Sequence, residues 1–333
     1  MGIRSQNNPL AAYLDVFSNT GTDAASGVIS GIIVNFLVIA GGGGGGRGRG
    51  GGGGAGGYRT NYASESPGGP GTSTEASFPI QLSTNYSVQI GAGGVAGPAA
   101  DKRGFQGGPS IFSIITSTGG GGGGAAYQPI SRTTESGTYE GGSGGGGAGQ
   151  VTSPTTNKGQ GANAVSPSSS PAQPVQGYRG GDATPDSGND GTGGGGAGAQ
   201  GVDGQGGAGG TGKASSITGS SVTRGGGGGG GGDDASGAGG AGGGGAGSTS
   251  ASTPGTHATG GGGGGSIYNQ AAARGGTGVV ILRYDNTMTI ANPGGGLTLS
   301  TATDGDFKVT TITHPSPSAT VPGGNATGNV SWS

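Results

Sequence analysis

Gly207-Ala208-Gly209-Gly210-Thr211-Gly212-Lys213 comes close to spelling a phosphate-binding loop. Such a loop cradles phosphates with its backbone N–H groups, reaches them with the lysine, and holds magnesium through a Ser or Thr after the lysine. Ala214 stands at that last position and no strand pattern leads into the glycines, so nucleotide binding is not expected. Asp182, Asp186 and Asp190 recur every four residues, whereas calcium loops alternate acids more tightly and close on a Glu. A solvated loop is the expectation there, with no metal. His257 and His314 lie far apart without acids at ligand or dyad spacing. The absence of cysteine removes thiolate chemistry and disulfides. Gly46-Arg47-Gly48-Arg49-Gly50-Gly51 has the look of an RNA-binding arginine–glycine fragment, but it lacks interleaved aromatics and the chain carries a net charge of −2. Those arginines are expected to be solvated or paired with acids. The residue chemistry therefore points away from an enzyme, a cofactor or a nucleic-acid partner.

Binding is better served. Tyr58, Arg59, Tyr62, Tyr127, Arg132, Tyr139, Tyr178, Arg179 and Tyr268 all fall in or beside segments otherwise made of Ser, Thr, Asn and Gly. That is the composition of antibody binding loops, in which rigid Tyr supplies contact area and small polar residues adapt. The set is a candidate receptor-contact surface. The plainer reading is that these tyrosines cap the edges of the glycine-rich body as a substitute for a core.

The elements that must position such loops are unusual. Glycine supplies 95 of 333 residues, against an average near 7%. Charged residues are 9% and aromatics 5%, so an ordinary large core is not expected. Glycine runs occupy 41–57, 119–124, 141–149, 193–199, 206–210, 225–232, 237–247 and 260–265, and nearly every exception inside them is Ala or Ser. A flexible linker has no reason for that restriction. Ordering a residue costs about 1–2 kcal/mol, and one isolated run cannot recover it from hydrogen bonds worth about 0.5–1.5 kcal/mol each. Many runs side by side can, because three-residue-per-turn helices without side chains approach closely and bond to one another. The expected fold is thus mainly non-helical, a polyglycine II bundle or sandwich bracketed by short β-strands.

The brackets are Val28 to Ala40, too short and too interrupted by Asn35 to span a bilayer, and Val279 to Tyr284. If both clamp the glycine body they should pair or share a face. Residues 1–27 read as an attachment leader with a short N-terminal helix: Asn8-Pro9 starts it, and Leu10, Tyr13, Leu14 and Phe17 form an apolar stripe for a docking surface. Residues 28–284 form the glycine-rich body, and 285–333 a small C-terminal β extension with hairpin turn chemistry at Asp304-Gly305. Within the body, Phe78 to Leu82 and Tyr86 to Ile90 alternate like a hairpin, Ile111 to Ile115 reads as one strand, and 151–190 as a long exposed loop.

Phe36-Leu37-Val38-Ile39-Ala40-Gly41-Gly42-Gly43, the interior runs, Ser216-Ile217-Thr218-Gly219 and Gly278-Val279-Val280-Ile281-Leu282-Arg283-Tyr284 together resemble the glycine-rich virion proteins of tailed bacteriophages, especially of marine hosts. More distantly the body looks like phage tail-tip adhesins. The resemblance covers roughly residues 28–284. It implies a non-enzymatic virion appendage, a tail fibre or adhesin-like protein on the particle surface, whose rigid glycine scaffold displays loops to a host-surface glycan or outer-membrane protein. The leader would bind another virion protein, and a homo-oligomer is compatible with this role. No membrane insertion is expected. The alternative is a structural subunit that self-assembles into a fibre or decorates a capsid.

Overall fold

The computed structural model describes residues 32–71, 73–98, 103–125, 141–149, 175–183, 189–321 and 324–333. Among these there is no helix. The leader stripe, Leu10, Tyr13, Leu14 and Phe17, lies outside the described residues, and so does the expected N-terminal helix. In chain order the strands are β1 (Ile32–Ile39), β2 (Tyr58–Thr60), β3 (Phe78–Ile80), β4 (Tyr86–Ile90), β5 (Gly93–Gly94), β6 (Ser110–Phe112), β7 (Ile115–Ser117), β8 (Lys213–Ser215) and β9 (Val222–Arg224). There follow β10 (Val279–Asp285), β11 (Ile290–Ala291), β12 (Thr298–Asp304), β13 (Phe307–Thr313), β14 (Thr320–Val321) and β15 (Ala326–Trp332).

The two bracketing strands pair directly. β1 and β10 run antiparallel from Asn35 opposite Arg283 to Ile39 opposite Val279. They sit at the middle of a six-stranded sheet, β12-β13-β10-β1-β2, with β3 on the free half of β1. From Phe36 to Ile39 and from Val279 to Tyr284 the two strands are buried on both faces, which is why these stretches read as continuous apolar runs rather than alternating ones. On one face Val34, Phe36, Val38, Val280, Leu282 and Tyr284 meet a five-stranded sheet, β11-β15-β4-β6-β7, around Phe78, Phe112 and Trp332. Trp332 stands edge-on to Tyr86, Phe112 and Tyr284 at centroid distances of 5.8, 6.4 and 5.8 Å. On the other face Leu37, Ile39, Val279 and Ile281 pack with Tyr58, Ala197 and Ile217.

Several expectations change. Phe78 to Leu82 and Tyr86 to Ile90 do not pair with each other: β3 goes to β1, and β4 lies between β15 and β6. Alternation sets which face is buried, and here it left the choice of partner open. Ile111 to Ile115 is not one strand but the turn of a hairpin, β6–β7, with Ser113 at a φ of 52°. In the tail, β12 and β13 form the hairpin turning at Gly305, whose φ of 60° suits glycine. β13 extends the sheet of β1 and β10, and β15 enters the sheet of β4. Of the segment 151–190, expected as a loop, residues 175–183 join the glycine body: Gly144 N–H donates to Tyr178 and Gly147 N–H to Gly181.

From Ala40 the chain leaves β1 and enters the glycine body. The run 50–57 shows how that body is held. Gly51, Gly54 and Gly57 donate to Gly124, Gly121 and Thr118; Gly52 and Ala55 donate to Thr192 and Gly195; Gly53 and Gly56 donate to Gly263 and Gly260. In return Gly51, Gly54 and Gly57 accept from Gly46, Gly43 and Ala40; Gly52 and Ala55 accept from Gly146 and Ser143; Gly50 and Gly53 accept from Gly231 and Gly228. The bonding direction repeats every third residue, and three neighbouring runs receive N–H groups while three others supply them. A β-ladder, with its period of two, cannot produce this pattern. Within the runs, the space beside a glycine is filled by a neighbouring chain. A Cβ added at Gly43, Gly45, Gly53 or Gly230 would lie 2.0–2.2 Å from a neighbouring backbone carbonyl oxygen. The methyls of Ala55 and Ala197 fit because they meet at Gly225, whose positive φ turns the chain away beside the Tyr58 ring.

Candidate functional site

The runs share two ends. One joins the sheets, where Ala40, Gly57, Thr118 and Gly260 lie level through their hydrogen bonds. The other is made of turns: Arg47 to Arg49, the 203–206 turn, Asp233 to Ser236 and the segment after Ser266. The candidate contact residues divide between them. Tyr127, Arg132 and Tyr139 lie outside the described residues.

Tyr58 and Arg59 sit on β2 opposite Ile39 and Val38, so their side chains leave opposite faces of the sheet. Tyr58 is fully buried against the lattice. Arg59 points toward the five-stranded sheet, where Nε donates to Glu75 Oε1 at 3.0 Å and Nη1 donates to the Thr116 carbonyl at 3.1 Å. Neither offers surface to a partner in this fold, which corrects their assignment as receptor contacts. A strand position between two packed layers overrides what their loop-like neighbours suggested. Tyr62 is half-buried, with the Arg283 guanidinium 5.7 Å from its ring centroid. Arg283 in turn lies over Phe307 at 4.5 Å and donates to Asp304 Oδ2 at 2.6 Å.

Tyr178 and Arg179 are half-buried on a run of the body, and Arg179 donates to Asp182 at 3.0 Å and lies 3.7 Å from Asp203. Tyr268, 42% exposed, stands at the turn end. The remaining motifs are absorbed by the lattice. In the phosphate-loop look-alike, Gly207, Gly209, Gly210 and Gly212 donate their N–H groups to Gly191, Ala238, Gly194 and Ala241, so they are not free to cradle an anion. Arg49 pairs with Asp233 at 2.7 Å, and Asp190 accepts the N–H groups of Asp234 and Ala235.

A polar cluster that the sequence did not announce occupies the sheet end. β8 and β9 pair Lys213 with Arg224 and Ser215 with Val222, placing Lys213, Ser215 and Arg224 on one face of a short hairpin. Against them lies the turn after β2, in which Glu65 N–H bonds to Tyr62 and Ala63 takes a φ of 50°. Glu65 Oε1 accepts from the Ser216 N–H at 2.8 Å, and Lys213 Nζ donates to Ser66 Oγ at 3.0 Å. Burial pushes the Tyr58 phenol well above its ordinary range; Glu65 acts the same way, while the nearby Ser215 hydroxyl and Arg224 guanidinium oppose it. Burial also lowers Lys213, with Glu65 opposing, and lowers Arg224. About 150 residues separate the two halves of this cluster, as in the Glu65–Ser216 bond with its 151-residue span. No local spacing could have found it; the only local trace was a Lys and an Arg flanking a Ser/Thr/Gly turn.

A family model described as a glycine-rich domain matches residues 24–285. The chain belongs to that family. The match ends with the last residue of β10, so the glycine-rich domain covers β1, the lattice and the strand that closes it. No curated protein matches the chain.

Proposed function

We propose that the glycine runs are polyglycine II helices in hexagonal packing, and that the protein is a non-enzymatic appendage of a tailed-bacteriophage particle whose lattice displays loops to a host-surface glycan or outer-membrane protein. The run 50–57, hydrogen-bonded in steps of three to six neighbouring runs, is the observation that carries this reading. Polyglycine II has three residues per turn and a rise of about 3.1 Å, so runs of six to eight residues make a slab roughly 19–25 Å thick. A slab of that kind holds the ends of every turn on its far side. Loops whose ends are fixed lose less entropy when they engage a partner. Tyr268 is the described aromatic best placed for such contact, with the 248–252 turn as its small polar counterpart in the chain.

Gold-labelled antibody against the chain, viewed on intact particles by electron microscopy, tests the assignment. Label on tail appendages is expected, and particles that carry none would overturn it. Adsorption to host cells should then fall for Tyr268→Ala.

A second reading, a self-assembling fibre or capsid-decoration subunit, is favoured by β12. Its seven residues pair with β13 on one side only and contain neither Pro nor Lys to blunt the edge. Sedimentation that shows a monomer across the whole concentration range would remove it.

A further inference from the structure

We propose that β12 is the surface through which two copies of this chain pair, antiparallel about a two-fold axis at Thr301, joining their six-stranded sheets in a closed dimer. This rests on the open edge that favours the self-assembly reading, and it adds the partner strand, its register and an assembly that closes instead of growing. The other ends of the two large sheets are short or covered. On β2 the Tyr58 N–H donates to the Gln176 carbonyl, and the Tyr58 carbonyl accepts from Gly68. On β7 the Thr116 carbonyl accepts from Arg59 Nη1 at 3.1 Å and from Gln176 Nε2 at 3.3 Å. β11 has only two residues. β12 differs: its seven residues run in unbroken register with β13, no other strand lies beside it among the described residues, and all but Leu299 and Asp304 are exposed. A long, regular edge of this kind is a template for another strand.

The strand's own geometry selects a second copy and a register. Asp304 and Phe307 flank a two-residue turn with Gly305 at a φ of 60°, so they form a hydrogen-bonded pair, and the alternation carries through Ala302, Ser300 and Thr298. The N–H and C=O groups of Leu299, Thr301 and Thr303 therefore face away from β13. Antiparallel pairing of β12 with its own copy overlaps all seven residues in one register only, with Thr301 opposite Thr301. That register sets Leu299 opposite Thr303, so every outward-facing residue enters a hydrogen-bonded pair. Asp304, the only charged residue of the strand, falls opposite Thr298 instead of opposite itself. The remaining pair, Ser300 with Ala302, matches small side chains. Such a contact uses the same patch on both copies, so assembly stops at two.

The test uses the full chain, which has no native cysteine to compete for labels. Sedimentation should show monomer and dimer in equilibrium and nothing larger. With nitroxide on Thr301→Cys, the two labels of a dimer should lie close together. On Thr298→Cys they should lie about 20 Å further apart along the strand, six residues at about 3.4 Å each. Equal separations at the two positions, a dimer with both pairs far apart, or filaments would each overturn this pairing and leave self-assembly standing. A monomer at every concentration would overturn both. None of these outcomes bears on the tail-appendage reading, which labelled particles decide. Thr301→Lys changes an exposed position and should keep the circular dichroism of the native fold. It sets two ammonium groups against each other across the axis, so the dimer's dissociation constant should rise about fivefold. An unchanged constant would contradict the register.

Discussion

The sheets and the glycine body solve the same problem in opposite ways. Between the sheets, Phe36, Phe78, Phe112 and Trp332 fill space with side chains, and what holds them is apolar area removed from water. In the body, neighbouring backbones fill the space that side chains would occupy, and the binding comes from hydrogen bonds and close Cα to carbonyl contacts. The first kind of core tolerates loss of volume in proportion to the volume lost. The second kind tolerates no gain of volume at all. Composition then follows from packing: a lattice with Cα to carbonyl contacts everywhere admits Ala and Ser at a few sites, while sheets can keep their ordinary alternation.

That contrast can be broken by mutation. Trp332→Ala should cost about 3–5 kcal/mol, because a large buried ring leaves a cavity among three aromatic neighbours; chemical denaturation measures it. Gly53→Ala adds one methyl at the lattice centre, 2.1 Å from the Gly43 carbonyl oxygen and 2.9 Å from that of Gly44, both rigid backbone. A loss of about 3 kcal/mol, at the top of the usual overpacking range, is expected from the same measurement. A neutral Gly53→Ala would mean that the runs are not close-packed. Gly71→Ala is the control. Nothing lies within 4 Å of the added Cβ and its φ is not in the left-handed region, so stability should hold or rise by about 0.5 kcal/mol.

The smallest effect expected is in pH. His257 bonds to Thr277 Oγ1 at 2.7 Å, and burial, then His314 and Arg274, hold its imidazole below the ordinary value near 6.5. A base depressed in the folded state stabilises the fold above the unfolded value and loses that contribution as pH falls through 6.5 toward the folded value. The unfolding midpoint should therefore decline slightly below pH 6.5, and His257→Asn should flatten the decline.

Much of this architecture was legible before any coordinates. The apolar runs at Phe36 and Val279 announced the two bracketing strands, and their pairing clamps the body as two such strands should. The Ala/Ser restriction in the runs pointed to close packing. What stayed hidden depends on long-range choice. Strand alternation at Phe78 and Tyr86 fixed faces without fixing partners, so a local hairpin stood in for two distant pairings. The tyrosines were harder still. Loop-like neighbours made Tyr58 and Arg59 look exposed, yet a three-residue strand placed them between layers, facing opposite ways. The Glu65, Lys213 and Arg224 cluster joins residues far apart in the chain and left no spacing to read.

Amide hydrogen exchange at Gly51 to Gly57 tests the central claim most directly. In the lattice these N–H groups are buried and bonded to three different runs, so they should exchange only through global unfolding, as slowly as the amides of β1 and β10. Exchange at the rate of an unstructured glycine chain, while β1 and β10 stay protected, would contradict it.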